Sequence, residues 1–383
     1  MTDAPDGLAL YVHWPYCARI CPYCDFNVVR ARGRETEMAG LVTALLDDLE
    51  AQAALVGPRP LVSIFFGGGT PSLMPPEAVA AVVERARALF PASSALEVTL
   101  EANPTDAEAE RFSALAGAGV TRLSLGVQSL DDAALKFLGR NHSGAEARRA
   151  VALAARHFER LSIDLIYARP GQTVSDWTGE LTWALESGFE HISPYQLTIE
   201  PGTAFGRAVA RGAWTPPDED LAADLYEATQ SVLGQAGFEA YEVSNHACGV
   251  AARSVHNLHV WRGRDYLGIG PGAHGRLTLD GVRTATIAHR GVADYVAGVE
   301  AGTPWAEQAA LSPVEAAEEK VLLGLRTVEG VSLAVLADLQ ILPVDRPLAG
   351  LIEDGFLALS DGRVAATARG RPVLDGVLKA LLT

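Results

Sequence analysis

Six short apolar runs, each followed by a longer stretch of helical pattern, limit what this chain can fold into. The runs occupy 8–13, 61–66, 96–101, 120–127, 161–167 and 191–198, with helical patterns at 35–56, 76–90, 106–117, 145–158, 174–188 and 218–237. A strand that must wait for a helix before its next partner strand can only pair with it in parallel, so the rhythm reads as βα units. Six units are too few for a closed eight-unit barrel. They suit an open six-unit barrel, and the pattern alone equally allows a doubly wound sheet. With 383 residues, 49% of them hydrophobic, there is enough chain for one such domain and a smaller one.

The rhythm stops near Tyr241, which sets expected boundaries of 1–240 for the barrel, 241–305 for a closing segment and 306–383 for a C-terminal domain. Within the barrel, Gly117-Ala-Gly119 closes one helix, and Thr215-Pro-Pro-Asp218 leads into another. Ser312, Pro313 and Glu315 form a helix start with a capping box. Two or three short helices and a hairpin then resemble a winged helix.

A net charge of −16 argues against nucleic acid as a partner of that module and against non-specific binding to an anionic membrane. No apolar run reaches the roughly eighteen residues of a membrane span. The polar start, residues 1–6, is unlike a leader peptide, and a cytoplasmic location is expected.

Three of the four cysteines fall in one loop after the first run, Cys17-Ala-Arg-Ile-Cys21-Pro-Tyr-Cys24. Such a cluster points to a metal centre, since a disulfide framework would spread an even number along the chain. Zinc would need a fourth ligand at short spacing, and none is near. An iron–sulfur cluster on three cysteines fits better, with one iron left for a non-protein ligand.

Other polar residues mark strand ends. Gly67-Gly-Gly-Thr-Pro-Ser72 follows the second run, where glycines let a ligand approach the backbone; the bland alternative is a tight turn. Glu101 ends the third run and Gln128 the fourth, both at the face where such barrels carry their sites. Arg140 has the guanidinium fork that suits a ligand carboxylate.

The cysteine spacing resembles that of the radical S-adenosylmethionine (SAM) superfamily. The stretches Val12-His-Trp-Pro-Tyr-Cys17, Leu123-Ser-Leu-Gly-Val-Gln-Ser129, Leu138-Gly-Arg-Asn-His142, Tyr195-Gln-Leu-Thr-Ile-Glu-Pro-Gly-Thr203 and Tyr241-Glu-Val-Ser-Asn245 narrow the resemblance to its HemN/HemW group. The resemblance implies an α/β fold: a partial (β/α)6 barrel followed by a small helical, winged-helix-like C-terminal domain. It also implies a [4Fe-4S] cluster on Cys17, Cys21 and Cys24, with SAM contacted by Tyr11, Gly68, Gly69, Thr70, Glu101, Gln128, Arg140 and Asp164. Reductive SAM cleavage comes with the superfamily.

Two departures divide the group. Phe26 stands where the coproporphyrinogen dehydrogenases carry an extra cysteine, and their N-terminal extension is absent before Cys17. Both favour the HemW-type heme chaperones. Those share a His-Asn-x-x-Tyr-Trp motif, matched here by His256-Asn-Leu-His-Val-Trp261, with Val260 in place of the tyrosine. The resemblance makes heme a third cofactor and His256 its candidate ligand, with His259, His246 and Cys248 as substitutes. A zinc site from those four side chains is the competing reading. Arg169, in Ala168-Arg-Pro170 where relatives read Gly-Leu-Pro, is expected either near the rim, facing a carboxylate, or on the surface. Expected partners are acceptor hemoproteins, including membrane ones reached peripherally, an electron donor such as flavodoxin or ferredoxin, and a second copy of the chain. The alternative function is a HemN-like enzyme, an oxygen-independent coproporphyrinogen III oxidase or a methyltransferase.

Overall fold

The computed structural model describes residues 7–382, so the polar start at 1–6 lies outside them. β1 (Leu8–Trp14), β2 (Leu61–Gly68), β3 (Ala92–Ala102), β4 (Arg122–Gln128), β5 (Arg160–Tyr167) and β6 (His191–Gln196) lie side by side in that order, all parallel. Helices α1 (Glu35–Val56), α2 (Pro76–Leu89), α3 (Phe112–Gly117), α4 (Gly144–Ala154) and α5 (Val174–Glu186) connect them, and α6 (Glu219–Gln235) follows β6. The stretch expected to be helical from 106 to 117 is interrupted after Ala109. There Glu108 turns inward and accepts a hydrogen bond from Asn103 N at 2.9 Å.

Alternation along β1 sets which face meets the helices. Leu8, Leu10, Val12 and Trp14 are fully buried in one core with Leu41, Leu45 and Leu49 of α1. Each such Leu or Val contributes roughly 1.5–3 kcal/mol. A one-residue slip would exchange that set for Tyr11 and His13, so the register is firmly specified.

Beyond Phe238 the chain extends the sheet at both edges. β7 (Glu239–Ala240) and β8 (His246–Ala247) continue past β6. α7 (Val255–Trp261) comes next, and β9 (Tyr266–Ile269) then pairs in parallel with the far side of β1. β10 (His274–Leu279), β11 (Val282–Ala288) and β12 (Trp305–Ala310) follow antiparallel, giving 12 strands in the order β12-β11-β10-β9-β1-β2-β3-β4-β5-β6-β8-β7. β9 is a parallel strand that the rhythm of the first 240 residues does not announce, because no long helix precedes it.

α7 seats against the N-terminal ends of the barrel strands. Its first backbone amides, Val255 N and His256 N, donate to the buried carboxylate of Glu97 on β3 at 3.1 and 2.9 Å. Arg160 donates to the same carboxylate at 2.7 Å, and Arg122 lies 3.7 Å from it. One acid from β3, two cations from β4 and β5 and a helix end thus close the floor of the barrel.

The C-terminal domain has its own core, including Val321, Leu336, Leu348, Val364 and Leu378. It comprises α8 (Pro313–Gly324), β13 (Val331–Ser332), α9 (Leu333–Asp338), α10 (Arg346–Glu353), the hairpin β14 (Leu357–Ser360) with β15 (Arg363–Ala366), and α11 (Leu374–Leu382). Ser312 and Glu315 form the expected capping box, with Pro313 opening α8. The domain joins the barrel through Val328 N donating to Tyr241 O at 3.1 Å and Arg371 Nη1 donating to Ala240 O at 2.8 Å.

Candidate metal and cofactor site

The cysteine loop leaves β1 at Trp14 and is pinned where it begins and ends. Tyr16–Cys17 pairs with Val29–Arg30, so the intervening residues form a closed excursion. Asn27 holds its far side: its amide donates to Pro271 O and Arg290 O at 2.8 and 2.9 Å, and its carbonyl meets His13 Nε2 at 2.8 Å. Phe205 N donates to Pro22 O at 2.9 Å. Gly139, at φ 71°, lies against Pro22, where a Cβ would meet the ring at 2.5 Å. The loop is therefore shaped by protein contacts that involve none of its thiols.

Cys17, Cys21 and Cys24 line one cavity of about 1490 Å³ together with Gly68, Gly69, Thr70, Glu101, Gln128, Arg140 and Asp164. Gly68 and Gln128 end their strands, Glu101 is next to the end of β3, Asp164 comes from within β5, and Arg140 follows the short helix Asp132–Phe137 after β4. Two of the expected residues are elsewhere. Tyr11 lies deeper in the barrel, its hydroxyl on His13 Nδ1 at 3.0 Å and its ring beside Phe65. His256 lies at the barrel floor, 6% exposed. Its Nδ1 meets Ser63 Oγ at 3.0 Å, its ring packs on Phe65 at 4.9 Å, and burial lowers its pKa to about 3. An axial-ligand role for His256 would require α7 to leave the floor.

The glycine run is demanded by the chain itself. Gly68 adopts φ 107°, and a Cβ there would sit 2.5 Å from the His13 ring; at Gly69 it would sit 2.8 Å from the Pro15 carbonyl. The tight turn and the cavity wall are thus the same feature. Gln128 has φ 64°, a left-handed conformation that costs a non-glycine residue roughly 1–2 kcal/mol. That strain occurs where the carboxamide must be aimed into the cavity.

The two acids Glu101 and Asp164 favour a cationic, polar group beside them. Burial raises the pKa of Glu101 to about 8, helped by the nearby Asp164 and opposed by the Gly68 amide. Asp164 is also raised by burial, although Ser124 donates to its two oxygens at 3.1 and 3.0 Å. Gln128 Oε1 and Arg140 Nε are buried without partners among the described residues. Such orphaned atoms are satisfied by a ligand with matching donors and acceptors.

Burial pushes the Cys17 thiol up to about 11, with Cys24 and Cys21 adding to it, and raises Cys24 as well, with Cys21 and Asp25 adding there. A bound cation reverses that balance and holds Cys17 and Cys24 as thiolates. Arg140 contributes a fixed positive charge: Nη1 donates to Cys21 Sγ at 3.4 Å and Nη2 to Gly126 O at 3.0 Å and to Asn103 Oδ1. Among the described residues no three His, Cys, Asp or Glu side chains converge on one point, as a single tetrahedral zinc requires. A cluster instead takes each cysteine on a different iron, so three thiols on one pinned loop fit it.

Two of the three substitute heme ligands are also engaged. His246 Nε2 meets Gln230 at 3.3 Å, His259 Nε2 meets Asp265 O at 2.8 Å, and Cys248 is exposed. Arg169 is neither at the rim nor on the surface. It is buried in an ion pair with Glu180 at 2.5 Å, because Ala168, at φ 59°, turns its side chain inward. Asn103 and Ser124 position Arg140 and Asp164; Ser124 lies inside a motif quoted above, and Asn103 is a polar residue directly after the end of β3 that could have been picked out. Arg326 and Arg371 also line the cavity, but from the C-terminal domain, and no local pattern marks them.

Residues 11–184 match the radical SAM superfamily, and residues 311–373 match the HemN C-terminal domain. A Bos taurus protein, radical S-adenosyl methionine domain-containing protein 1, mitochondrial, is 41% identical over 98% of this chain and 87% of its own length. Heme chaperone HemW of Escherichia coli (strain K12) is 41% identical over 74% of each chain. Heme chaperone HemW of Mycobacterium tuberculosis (strain ATCC 25618 / H37Rv) is 35% identical over 100% of this chain and 96% of its own. The solved coproporphyrinogen III oxidase (HemN) from Escherichia coli superposes with a TM-score of 0.82 over 99% of this chain and 91% of that one, at 22% identity, a likeness of fold. Sequence relatives, matched domains and fold together make this chain a member of the radical SAM superfamily, in its HemN/HemW group.

Proposed function

We propose that this chain is a heme chaperone: a protein that holds heme and passes it to acceptor hemoproteins. The observation that carries the reading is its 35% identity over essentially the full length of a relative named heme chaperone HemW. Phe26 adds support, since it puts an exposed phenyl ring at the cavity wall where the porphyrinogen dehydrogenases of the group carry a thiol. Membership of the superfamily brings a [4Fe-4S] cluster and SAM. In our reading Cys17, Cys21 and Cys24 hold the cluster. Gly68, Gly69, Thr70, Glu101, Gln128, Arg140 and Asp164 surround SAM, with Tyr11 behind them. When bound, the pair supplies one-electron reductive chemistry, and a flavodoxin- or ferredoxin-like donor fits that need. The chain's own residues orient the ligand and offset charge. The acids Glu101 and Asp164 suit the ribose and cationic part of SAM, and the Arg140 guanidinium suits its carboxylate. No helix among the described residues is long and apolar enough to cross a membrane. A cytoplasmic location belongs to the same proposal.

The test is anaerobic reconstitution with cluster and SAM, followed by hemin titration and incubation with an apo-hemoprotein. A Soret band that moves from this protein to the acceptor is expected. Conversion of coproporphyrinogen III to protoporphyrinogen IX, with no heme bound, would instead identify a HemN-like oxidase.

Glu101 gives a sharper check of the SAM part. Its folded-state pKa of about 8 lies above its ordinary 4.5, so between these values the folded protein holds a proton that the unfolded chain has lost. The ligand-free protein therefore loses stability as pH rises through that window. Glu101→Gln is expected to raise the ligand-free Tm more near pH 8 than near pH 6, and to weaken SAM binding about tenfold. Equal Tm shifts at both pH values would contradict the buried-acid assignment. For His256, enclosed at the floor, Ala is expected to cost roughly 2–5 kcal/mol in urea unfolding. If heme binding is lost with stability intact, His256 is a ligand after all.

A further inference from the structure

The cavity is larger than one cofactor needs. Sites for a single small ligand span about 300–1,000 Å³, and this one is about 1490 Å³. The cysteines, glycine turn and buried acids occupy one end. The other end is walled by α6 of the barrel and by Arg326 and residues 371–376 of the C-terminal domain. Its surfaces include Tyr195, Tyr226, Val243 and Val373, flat or apolar groups that suit a broad hydrophobic body.

Two guanidiniums stand at this end. Both line this cavity, and both interact electrostatically with the buried Glu242, whose carboxylate accepts from the Asn245 side chain. Among the described residues neither donates a hydrogen bond to a carboxylate. Arg371 donates through Nη1 to the Ala240 carbonyl at 2.8 Å. Arg326 lies 3.8 Å from Asp375, whose side chain is 94% exposed, and over the Trp261 ring at 5.8 Å. An exposed pair that long is worth little and exchanges readily. The other acids on this wall, Glu219 and Glu227, are exposed as well, where water weakens their repulsion of an anion. In a chain of net charge −16, a pair of available guanidiniums at the end of an apolar cleft selects for carboxylates.

We propose that Arg326 and Arg371 form a carboxylate subsite that binds the two propionates of heme, with the macrocycle lying in the cavity between α6 and the C-terminal domain. This rests on the heme-carrying reading and locates the heme in the cavity, apart from the floor where His256 is enclosed.

The cluster-reconstituted protein is titrated with hemin and with hemin dimethyl ester, whose propionates carry no charge. Wild type is expected to bind hemin about a hundredfold more tightly than the ester, at about tenfold per guanidinium–carboxylate contact. The double variant Arg326→Gln, Arg371→Gln is expected to bind both alike, at the affinity of the ester. Asp375→Asn, which removes the competing acid, is expected to tighten hemin binding a few fold. Equal binding of hemin and ester by wild type overturns the subsite even if neither variant folds, and so does a folded double variant that still prefers hemin. Binding of neither compound by wild type fails the heme-carrying reading itself, and the subsite with it.

Discussion

Single replacement of Cys17, Cys21 or Cys24 by Ser is expected to strip the protein of nearly all its cluster iron. A serine hydroxyl does not ionise to match a thiolate. Cys248, the fourth cysteine, is exposed and does not line the cavity. Iron and sulfide per chain after anaerobic reconstitution, with EPR of the reduced sample, is the measurement. Cys248→Ser serves as the control and is expected to match wild type. The fold should survive the loop variants, because Asn27, Phe205 and the Tyr16–Cys17 pairing hold the loop without using a thiol. A Cys21→Ser protein with full iron content would sink the three-cysteine assignment.

Glu97→Ala is expected to cost about 3–5 kcal/mol, the usual penalty for removing one partner of a buried ion pair. It leaves Arg122 buried beside an empty space and frees the amides of Val255 and His256 at the start of α7. Urea unfolding by circular dichroism measures it. The pH dependence carries a sign. Burial alone would raise the pKa of Glu97, but Arg122, Arg160 and the two amides outweigh it and hold the group below its ordinary 4.5. Its contribution is therefore fully present above that value and is lost as pH falls through the folded-state pKa. Wild type should accordingly lose stability on acidification more steeply than the variant. A variant as stable as wild type at neutral pH would mean that packing alone seats α7.

The barrel was readable because its cause is local. A buried parallel strand needs a continuous apolar run, and a crossover helix needs its own periodicity. β1, β2 and β5 follow the apolar runs within two residues, and α1 coincides with the 35–56 pattern. The short strand Tyr266–Ile269 escaped because four residues give no period to detect. The cavity wall was legible to the extent that its residues sit at strand ends, which is why Glu101 and Gln128 could be placed there; Arg140 follows a short helix and was placed by its motif and its guanidinium chemistry. Tyr11 and Arg169 could not be placed the same way. A motif match gives position along the chain, while inward or outward orientation follows from register and, for Arg169, from the left-handed turn at Ala168.

The sequence by itself determined the parallel βα order, the thiolate spacing of the cluster loop, the start of α8 and the family. Each depends on residues close together along the chain. The tertiary structure alone decided that His256 closes the floor of the barrel and that Arg326 and Arg371 meet the cysteine cavity. Those outcomes depend on contacts between segments far apart in sequence, such as Ser63 with His256 and Ala240 with Arg371. Periodicity and spacing record a residue's neighbours along the chain; charge, burial and reach are set by neighbours in space.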